Sequence, residues 1–497
     1  MDIRRVLATF SCLVSLFCLC SPLKLLHFAA GYSSSHLIFD YRLANASALL
    51  GHDVTVWTFL ATTVELSSSV TLHPDIREFL FDMREEKWLK ETGGEFFENS
   101  WAPYSIELLR KLMDFINIVA TEGSENFDVA VAPGFDLCPT MISHLAGIPS
   151  DRIILDYPFP WIHDMVARFT ALPVIPTYVP HLAWKNSDRM TFFERIGNAA
   201  ASFWFSHDPK VSEQLSIFDQ VSGSGLPLST VVGRVAVILM SGEQFMEFPR
   251  PLTSMTWFLS ELNKNASDSI TNLEPRFKAI LNKTNKGVIL MSFGTAADMN
   301  FMPLKLQRDV FEALAKFPDY SVIYKFNPAL LPKSENYSHI HAFNWLPQRD
   351  LLQSSRVKAF VTHGGFNSLL EAVKAGKPMV LCPLFGDQHS NTIRAVNKGL
   401  GVTIDVKSPG FSARTLENSL RLILEEPRYL RRAEAFRDML GDRLTNADQL
   451  YNQKLKQVAR SNQTLPTLAR ARSLNLFQYF LVDMLLCLLA VTILLFR

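Results

Sequence analysis

Cysteine is scarce where a disulfide scaffold would need it. The chain has 497 residues and 6 cysteines. Cys12, Cys18 and Cys20 lie in the first twenty residues and Cys487 in an apolar C-terminal stretch. That leaves Cys138 and Cys382 for the body, too far apart in sequence to imply a disulfide framework. No CxxC pair and no HExxH run occurs, so no metal site is expected. An excess of one charge is also missing. The formal net charge is +1 with 20% charged residues, and nothing points to nucleic acid. No G-x-G-x-x-G follows the first strand-like run, which argues against a Rossmann oxidoreductase. What is plentiful is phenylalanine, 37 residues of it, which suits a large apolar core and an apolar ligand site.

Both ends carry apolar runs. Arg4 and Arg5 precede an apolar stretch from Val6 to Cys20, which predicts a secretory signal peptide over residues 1–21, with an uncleaved anchor as the alternative. Residues 476–496 are almost wholly apolar, broken by Gln478 and Asp483 and followed by Arg497 alone. A stretch of that length predicts a transmembrane helix; a buried terminal helix is the bland alternative. Asn45, Asn265, Asn282, Asn336 and Asn462 head glycosylation sequons, as a luminal body would permit.

Between the ends, the pattern alternates strand and helix. Lys24–Ala29 reads as a strand, Gly31–Ser35 as a turn, His36 to about Leu50 as a helix, and Asp53–Thr58 as a second strand. Helices are expected over Asp75–Lys90 and Pro103–Ala120, and a strand over Phe127–Ala132. A turn and helix are expected over Asp136–Leu145, and a strand over Ile153–Asp156. The prolines of Pro158–Pro180 predict an irregular wall, and Val231–Met240 a strand. Residues 252–286 read as a connector. A second unit opens with Gly287–Thr295, V-I-L-M-S-F-G-T after the glycine, where Ser292, Gly294 and Thr295 can offer donors to a phosphate. Helices starting near Ser412 and Arg428 are expected to return towards the first unit.

The densest chemistry lies in Trp345–Gln388. Two buried-strand runs, Lys358–Thr362 and Pro378–Pro383, flank a helix from about Phe366 to Ala375. His363, Gly364 and Gly365 stand where strand gives way to helix. Glycines let phosphate oxygens approach the backbone, and the positive helix end favours an anion. His363 can donate to a phosphate oxygen. Glu371 lies one turn below Asn367, where its oxygens can accept from vicinal ribose hydroxyls. Asp387 and Gln388 follow the next strand and suit sugar hydroxyls. An ordinary αβ unit with a tight glycine turn is the alternative for His-Gly-Gly taken alone.

Taken together, Trp345 and Gln348, T-H-G-G-x-N-S with Asn367 and Ser368, Glu371, G-K-P, P-L-F and D-Q resemble the signature of the UDP-glycosyltransferases, the family holding the animal UDP-glucuronosyltransferases. The resemblance implies an α/β protein of two facing Rossmann-like domains, the glycosyltransferase B arrangement, with a C-terminal transmembrane helix. It implies an acceptor domain over 22–251, a donor domain over 287–440, and return helices with a juxtamembrane segment over 441–475. A UDP-sugar serves as co-substrate with no other cofactor, and the acceptor is a small lipophilic hydroxyl compound. His36, following Ser35 and preceding G-H-D-V-T-V at Gly51–Val56, takes the family's place of general base in an inverting transfer of a glucuronosyl or glucosyl group. The expected setting is the endoplasmic-reticulum membrane, single-pass, body luminal; the sugar, the acceptor and the homo- or hetero-oligomeric state stay open.

Two departures accompany the resemblance. The connector lacks the family's Gly-Gly near Ser260 and Glu261. More consequential, the family pattern F-D-V-x-x-A-D runs here as Phe127-Asp128-Val129-Ala130-Val131-Ala132-Pro133, so proline stands where an aspartate would hold the histidine. Asp136 either substitutes through a flexible Gly134 turn or caps the next helix. A weakly active or silent homologue that binds UDP-sugar and regulates a partner is the alternative function.

Overall fold

A computed structural model describes residues 22–31, 34–60, 71–82, 126–182, 184–208, 225–259, 273–283, 286–294, 299–442, 446–461 and 482–495, with isolated positions at 212–220 and 468–478. The expected signal peptide, the expected helix at Pro103–Ala120, Thr295, Asn265 and Asn462 lie outside the described residues.

Two parallel sheets carry the fold. The first has seven strands in the order β3-β2-β1-β4-β5-β6-β7. These are β1 Lys24–Gly31, β2 Asp53–Leu60, β3 Arg77–Asp82, β4 Val129–Pro133, β5 Ile153–Tyr157, β6 Val237–Ser241 and β7 Thr256–Leu259. The second has six in the order β10-β9-β8-β11-β12-β13, namely β8 Gly287–Ser292, β9 Tyr320–Lys325, β10 Ile340–Phe343, β11 Val357–Thr362, β12 Met379–Leu381 and β13 Gly401–Thr403. Every pairing is parallel. Strands such as β4, β5 and β8 are buried along their whole length, which is why they are continuous apolar runs rather than alternating ones. Each sheet has an apolar core on both faces.

The crossover helices place the functional turns. Helix α1 (Ser34–Leu49) follows β1, α2 (Cys138–Leu145) follows β4, and α3 (Asp164–Thr170), α4 (Phe192–Ser206) and α5 (Leu228–Gly233) lie between β5 and β6. In the second unit come α6 (Pro275–Lys283), α7 (Leu304–Leu314), α8 (Gln348–Gln353), α9 (Phe366–Lys374), α10 (Gln388–Asn397), α11 (Ala413–Glu425) and α12 (Pro427–Gly441). Helix α13 (Ala447–Ala459) returns to the first sheet, where it packs on β4 and β7.

Several expectations need correction. Residues 77–82 form an edge strand, not a helix, because Tyr41 and Thr58 both donate to Glu78, at 2.5 and 2.6 Å, and hold it beside β2. The irregular wall contains α3, whose first turn is capped when Met165 N–H donates to His163 Nδ1 at 3.2 Å. The expected strand 231–240 divides into the end of α5 and then β6, since an apolar run alone does not separate helix from buried strand. The connector region supplies β7, last strand of the first sheet, and α6, which buries Phe277, Ile280 and Leu281 in the second core. Helices α11 and α12 stay with the second unit, packing on α7 and α9, and α13 makes the return instead. At the C-terminus the helix α14 runs over Val482–Leu495 with an exposed apolar surface, and residues 479–481 and 496–497 lie outside the described residues. Among the described residues no helix is long and apolar enough to cross a membrane.

Candidate active site

In parallel α/β sheets, ligands gather beyond the carboxyl ends of the strands, where the strand-to-helix turns stand. Here two such edges meet. Gly242, just after β6, has φ +136°, and a Cβ there would lie 2.7 Å from Phe366 Cζ at the start of α9. Beside it, Lys374 Nζ lies 3.9 Å from Glu243. The carboxyl edge of β6 in the first sheet and the start of α9 after β11 in the second therefore face each other.

The second-sheet side is built around His363. Its ring is 8% exposed and fits between two glycines: a Cβ on Gly294 would stand 2.6 Å from the ring, and one on Gly365 2.4 Å from it. Gly294 and Gly364 also have φ of +74° and +80°, which only glycine adopts without strain. Burial, and then the nearby Lys325 charge, lowers the His363 pKa to about 4, so the ring is neutral near pH 7. No side chain caps α9 at Gly365, which leaves its first turn suited to an anion. Ser292 is buried, and its hydroxyl accepts from Gly294 N–H at 3.4 Å.

Below this turn, Gln348 links two other expected site residues. Its amide donates to Ser368 Oγ at 3.1 Å and to Glu371 Oε2 at 2.8 Å. Asn367 is half-buried on the same helix, and Trp345 is 47% exposed. Asp387 starts α10 and accepts from Asn391 Nδ2 at 2.6 Å; burial raises its pKa, against which the Asn391 hydrogen bond works. Gln388 also has a local task. Its carbonyl accepts from Leu384 and Phe385 N–H groups at 2.8 and 3.1 Å, so that end of the amide shapes the loop.

Sequence reasoning missed two groups here, Lys325 and Arg394. Lys325, at the end of β9, donates to the Gly294 carbonyl at 2.6 Å and lies 5.0 Å from the Trp345 ring centre, bringing a cation to the glycine turn. Arg394 Nη1 donates to Asn391 Oδ1 at 2.7 Å, and its Nε stands 3.1 Å from Glu247 Oε1. This buried pair ties Asp387, through Asn391, to the segment that leaves the first sheet. The only available signal was the charged pair in E-F-P-R-P at 247–251, where Arg250 also bonds Glu247.

On the first-sheet side, His36 is half-buried near the start of α1. Its ring lies 4.6 Å from Phe135 and 6.0 Å from Phe159, and Trp161 continues the aromatic wall at 6.1 Å from Phe159. Burial lowers the His36 pKa to about 4, which keeps it neutral and ready to accept a proton. Asp136 Oδ1 accepts from Cys138 N–H at 3.0 Å, a turn-closing role at the start of α2. The turn between them is not flexible. Gly134 N–H donates to Asp156 O and Tyr157 OH donates to Gly134 O, both at 2.8 Å. A Cβ on Gly134 would overlap the Tyr157 ring at 2.2 Å.

Among the sequons, Asn45 is ill placed for a glycan. It sits within α1, donates to Thr71 O at 2.9 Å and accepts from His73 N–H at 2.8 Å, so both ends of its amide are used. Asn282 and Asn336 are exposed.

The family profile described as UDP-glucoronosyl and UDP-glucosyl transferase matches residues 65–496. The chain belongs to this family, and it is a UDP-glycosyltransferase. Among curated relatives, UDP-glucuronosyltransferase 2B15 of Homo sapiens is 29% identical over 409 residues, covering 76% of this chain and 74% of its own. UDP-glucuronosyltransferase 3A1 of Bos taurus is 27% identical over 431 residues, covering 81% and 78%. Among solved structures, a UDP-glucosyltransferase from Polygonum tinctorium capable of glucosylating indoxyl superposes with TM-score 0.61 at 15% identity, over 89% of this chain and 100% of that one. The UDP complex of LpCGTa gives 0.58 at 14% identity, over 88% and 99%. These likenesses establish the glycosyltransferase B fold. As in the rest of the family, the co-substrate is a UDP-sugar, with no further cofactor.

Proposed function

We propose that this transferase moves a glucuronosyl or glucosyl group from its UDP-sugar to the hydroxyl of a small lipophilic acceptor, with inversion and with His36 as general base. The observation that carries this reading is the half-buried His36, kept neutral by burial and set against Phe135 and Phe159 at the carboxyl edge of the first sheet. An apolar acceptor lies against the aromatic wall. Its hydroxyl proton passes to His36, its oxygen bonds the anomeric carbon, and the sugar–diphosphate bond breaks on the opposite face. Lys325, the first turn of α9 and His363 face the departing diphosphate charge. Glu371 and Gln348 hold the ribose, and Asp387 the sugar. Asp136, next to Phe135, lies within the same turn and contributes a carboxylate there.

The membrane setting is part of the proposal. The apolar run at Val6–Cys20, the exposed apolar surface of α14 and the exposed sequons Asn282 and Asn336 support a luminal body attached to the endoplasmic-reticulum membrane by its C-terminal segment. Carbonate extraction with a glycosidase shift checks this; release into solution with no shift contradicts it. The chemistry is tested by offering UDP-glucuronic acid and UDP-glucose with a panel of phenols and reading the product anomer by NMR. A β-linked product from the α-linked donor is expected. A retained anomer contradicts the mechanism, and no product across the panel with intact UDP binding contradicts the enzymatic role.

A further inference from the structure

The departure at Pro133 removes a carboxylate from the neighbourhood of His36, and the fold places two others close by. In the β4–β5 register, Pro133 lies opposite Asp156. Parallel neighbours in register point to the same face, and Val131 and Ile154 fix that face as the one under α1 and α13. Asp156 is 1% exposed, and among the described residues no cationic side chain pairs with its carboxylate. What it meets is Asp40. Asp40 is 3% exposed, stands one turn beyond His36 on α1, and accepts from Ala30 N–H at 2.8 Å through Oδ2. Two carboxyls in contact and out of water hold a proton between them. The strand of Asp156 also fixes the turn that carries Phe135, because the Asp156 carbonyl accepts from Gly134 N–H.

We propose that the Asp40–Asp156 pair is the buried anionic support of His36, standing in for the carboxylate that Pro133 lacks. The inference rests on His36 being the general base. Both aspartates are positioning residues. When the acceptor O–H bond breaks, its proton goes to His36, the oxygen bonds the anomeric carbon, and UDP leaves with the bonding pair. The pair keeps its own proton throughout, and its single negative charge offsets the imidazolium. The groups facing the pair are Tyr41 from α1 and Tyr451 from α13, with His27 from β1 beyond Ser47, and Tyr157 stands next to Asp156 in β5 on the sheet's other face. Burial pushes all three tyrosines up and His27 down to about 3, so all four are neutral across the working range. Burial and the neighbouring carboxyl raise Asp40 well above the carboxylate range, while burial raises Asp156 to about 7. The supporting charge therefore develops as pH rises through about 7, and the rate rises with it.

The test is the pH profile of kcat for wild type, Asp40→Asn, Asp156→Asn, the double variant and His36→Ala, with one accepted UDP-sugar and phenol, beside UDP titration of each. Wild type is expected to show a rising limb near pH 7. The double variant loses about tenfold or more in kcat at about pH 8 and loses that limb, with UDP affinity unchanged. Asp40→Asn removes the hydrogen bond that holds Asp156 down, so its limb moves to higher pH, while Asp156→Asn removes the Asp156 limb and leaves Asp40 without the neighbour that raises it. A folded double variant with the wild-type profile overturns the proposal. If the double variant does not fold, single variants whose limb stays in place overturn it. His36→Ala separates the two claims: if it matches wild type, the base assignment falls and this proposal with it. If it is inactive while the aspartate variants match wild type, only this proposal fails.

Discussion

The two sides of the cleft solve the problem of buried charge in opposite ways. Around the donor, polar groups are matched: Gln348 with Glu371 and Ser368, Asp387 with Asn391, Arg394 with Glu247. Around His36, two aspartates face each other in an apolar setting. Matched groups hold a shape and bind a ligand that every reaction shares. An unmatched pair costs stability, and such a cost is tolerated where it serves chemistry. The difference makes the donor side a rigid binding surface and the His36 side a strained, titratable one.

The largest expected effect exposes that cost. Burial raises Asp156 to about 7, so the folded protein keeps a proton that the unfolded chain releases above about pH 4. The stability tied to this proton is complete below the unfolded pKa and is lost as pH rises to about 7. Asp156→Asn does not titrate. It is expected to match wild type in thermal melts near pH 4 and to exceed it by on the order of 3 kcal/mol above pH 7. A variant less stable than wild type at pH 8 would mean that the pair is matched after all.

On the donor side the expected change is in binding alone. Glu371→Ala removes a charged acceptor and leaves the Gln348 amide without one of its partners, costing about 1.5–3 kcal/mol of UDP affinity by calorimetry. The melting temperature should move little, because Glu371 is only half-buried. Unchanged UDP affinity would remove Glu371 from the site. The smallest effect concerns Lys325. Its charge helps to hold the His363 pKa down, so Lys325→Met is expected to raise that pKa by less than about one unit in an NMR titration. A downward shift would contradict the placement of the cation at the glycine turn.

The same contrast governs what the sequence disclosed. The donor side is local: His363, Gly364, Gly365, Asn367, Ser368 and Glu371 lie within a few residues on one strand, turn and helix, so their order alone carries their geometry. Buried strands β1, β2, β8 and β11 were legible as apolar runs for the same reason. Edge strand β3 was not, because its Phe79 and Leu80 stay exposed and its pairing depends on Glu78 reaching Tyr41 and Thr58. Lys325 and Arg394 were missed because each acts through a partner distant in sequence, Gly294 in one case and Glu247 in the other. Asp40 and Asp156 meet only through the order of β1, β4 and β5 and the packing of α1 upon them. Pro133 was visible as a departure, but what stands beside it was not.

The central claim is that His36 does the proton transfer while the second sheet independently holds the donor. The most direct measurement is the transfer rate of His36→Ala beside its UDP affinity, under conditions where wild type turns over. The expected result is a fall in kcat of about 10²–10⁴ with UDP binding unchanged. Transfer at the wild-type rate, or loss of UDP binding together with activity, would contradict it.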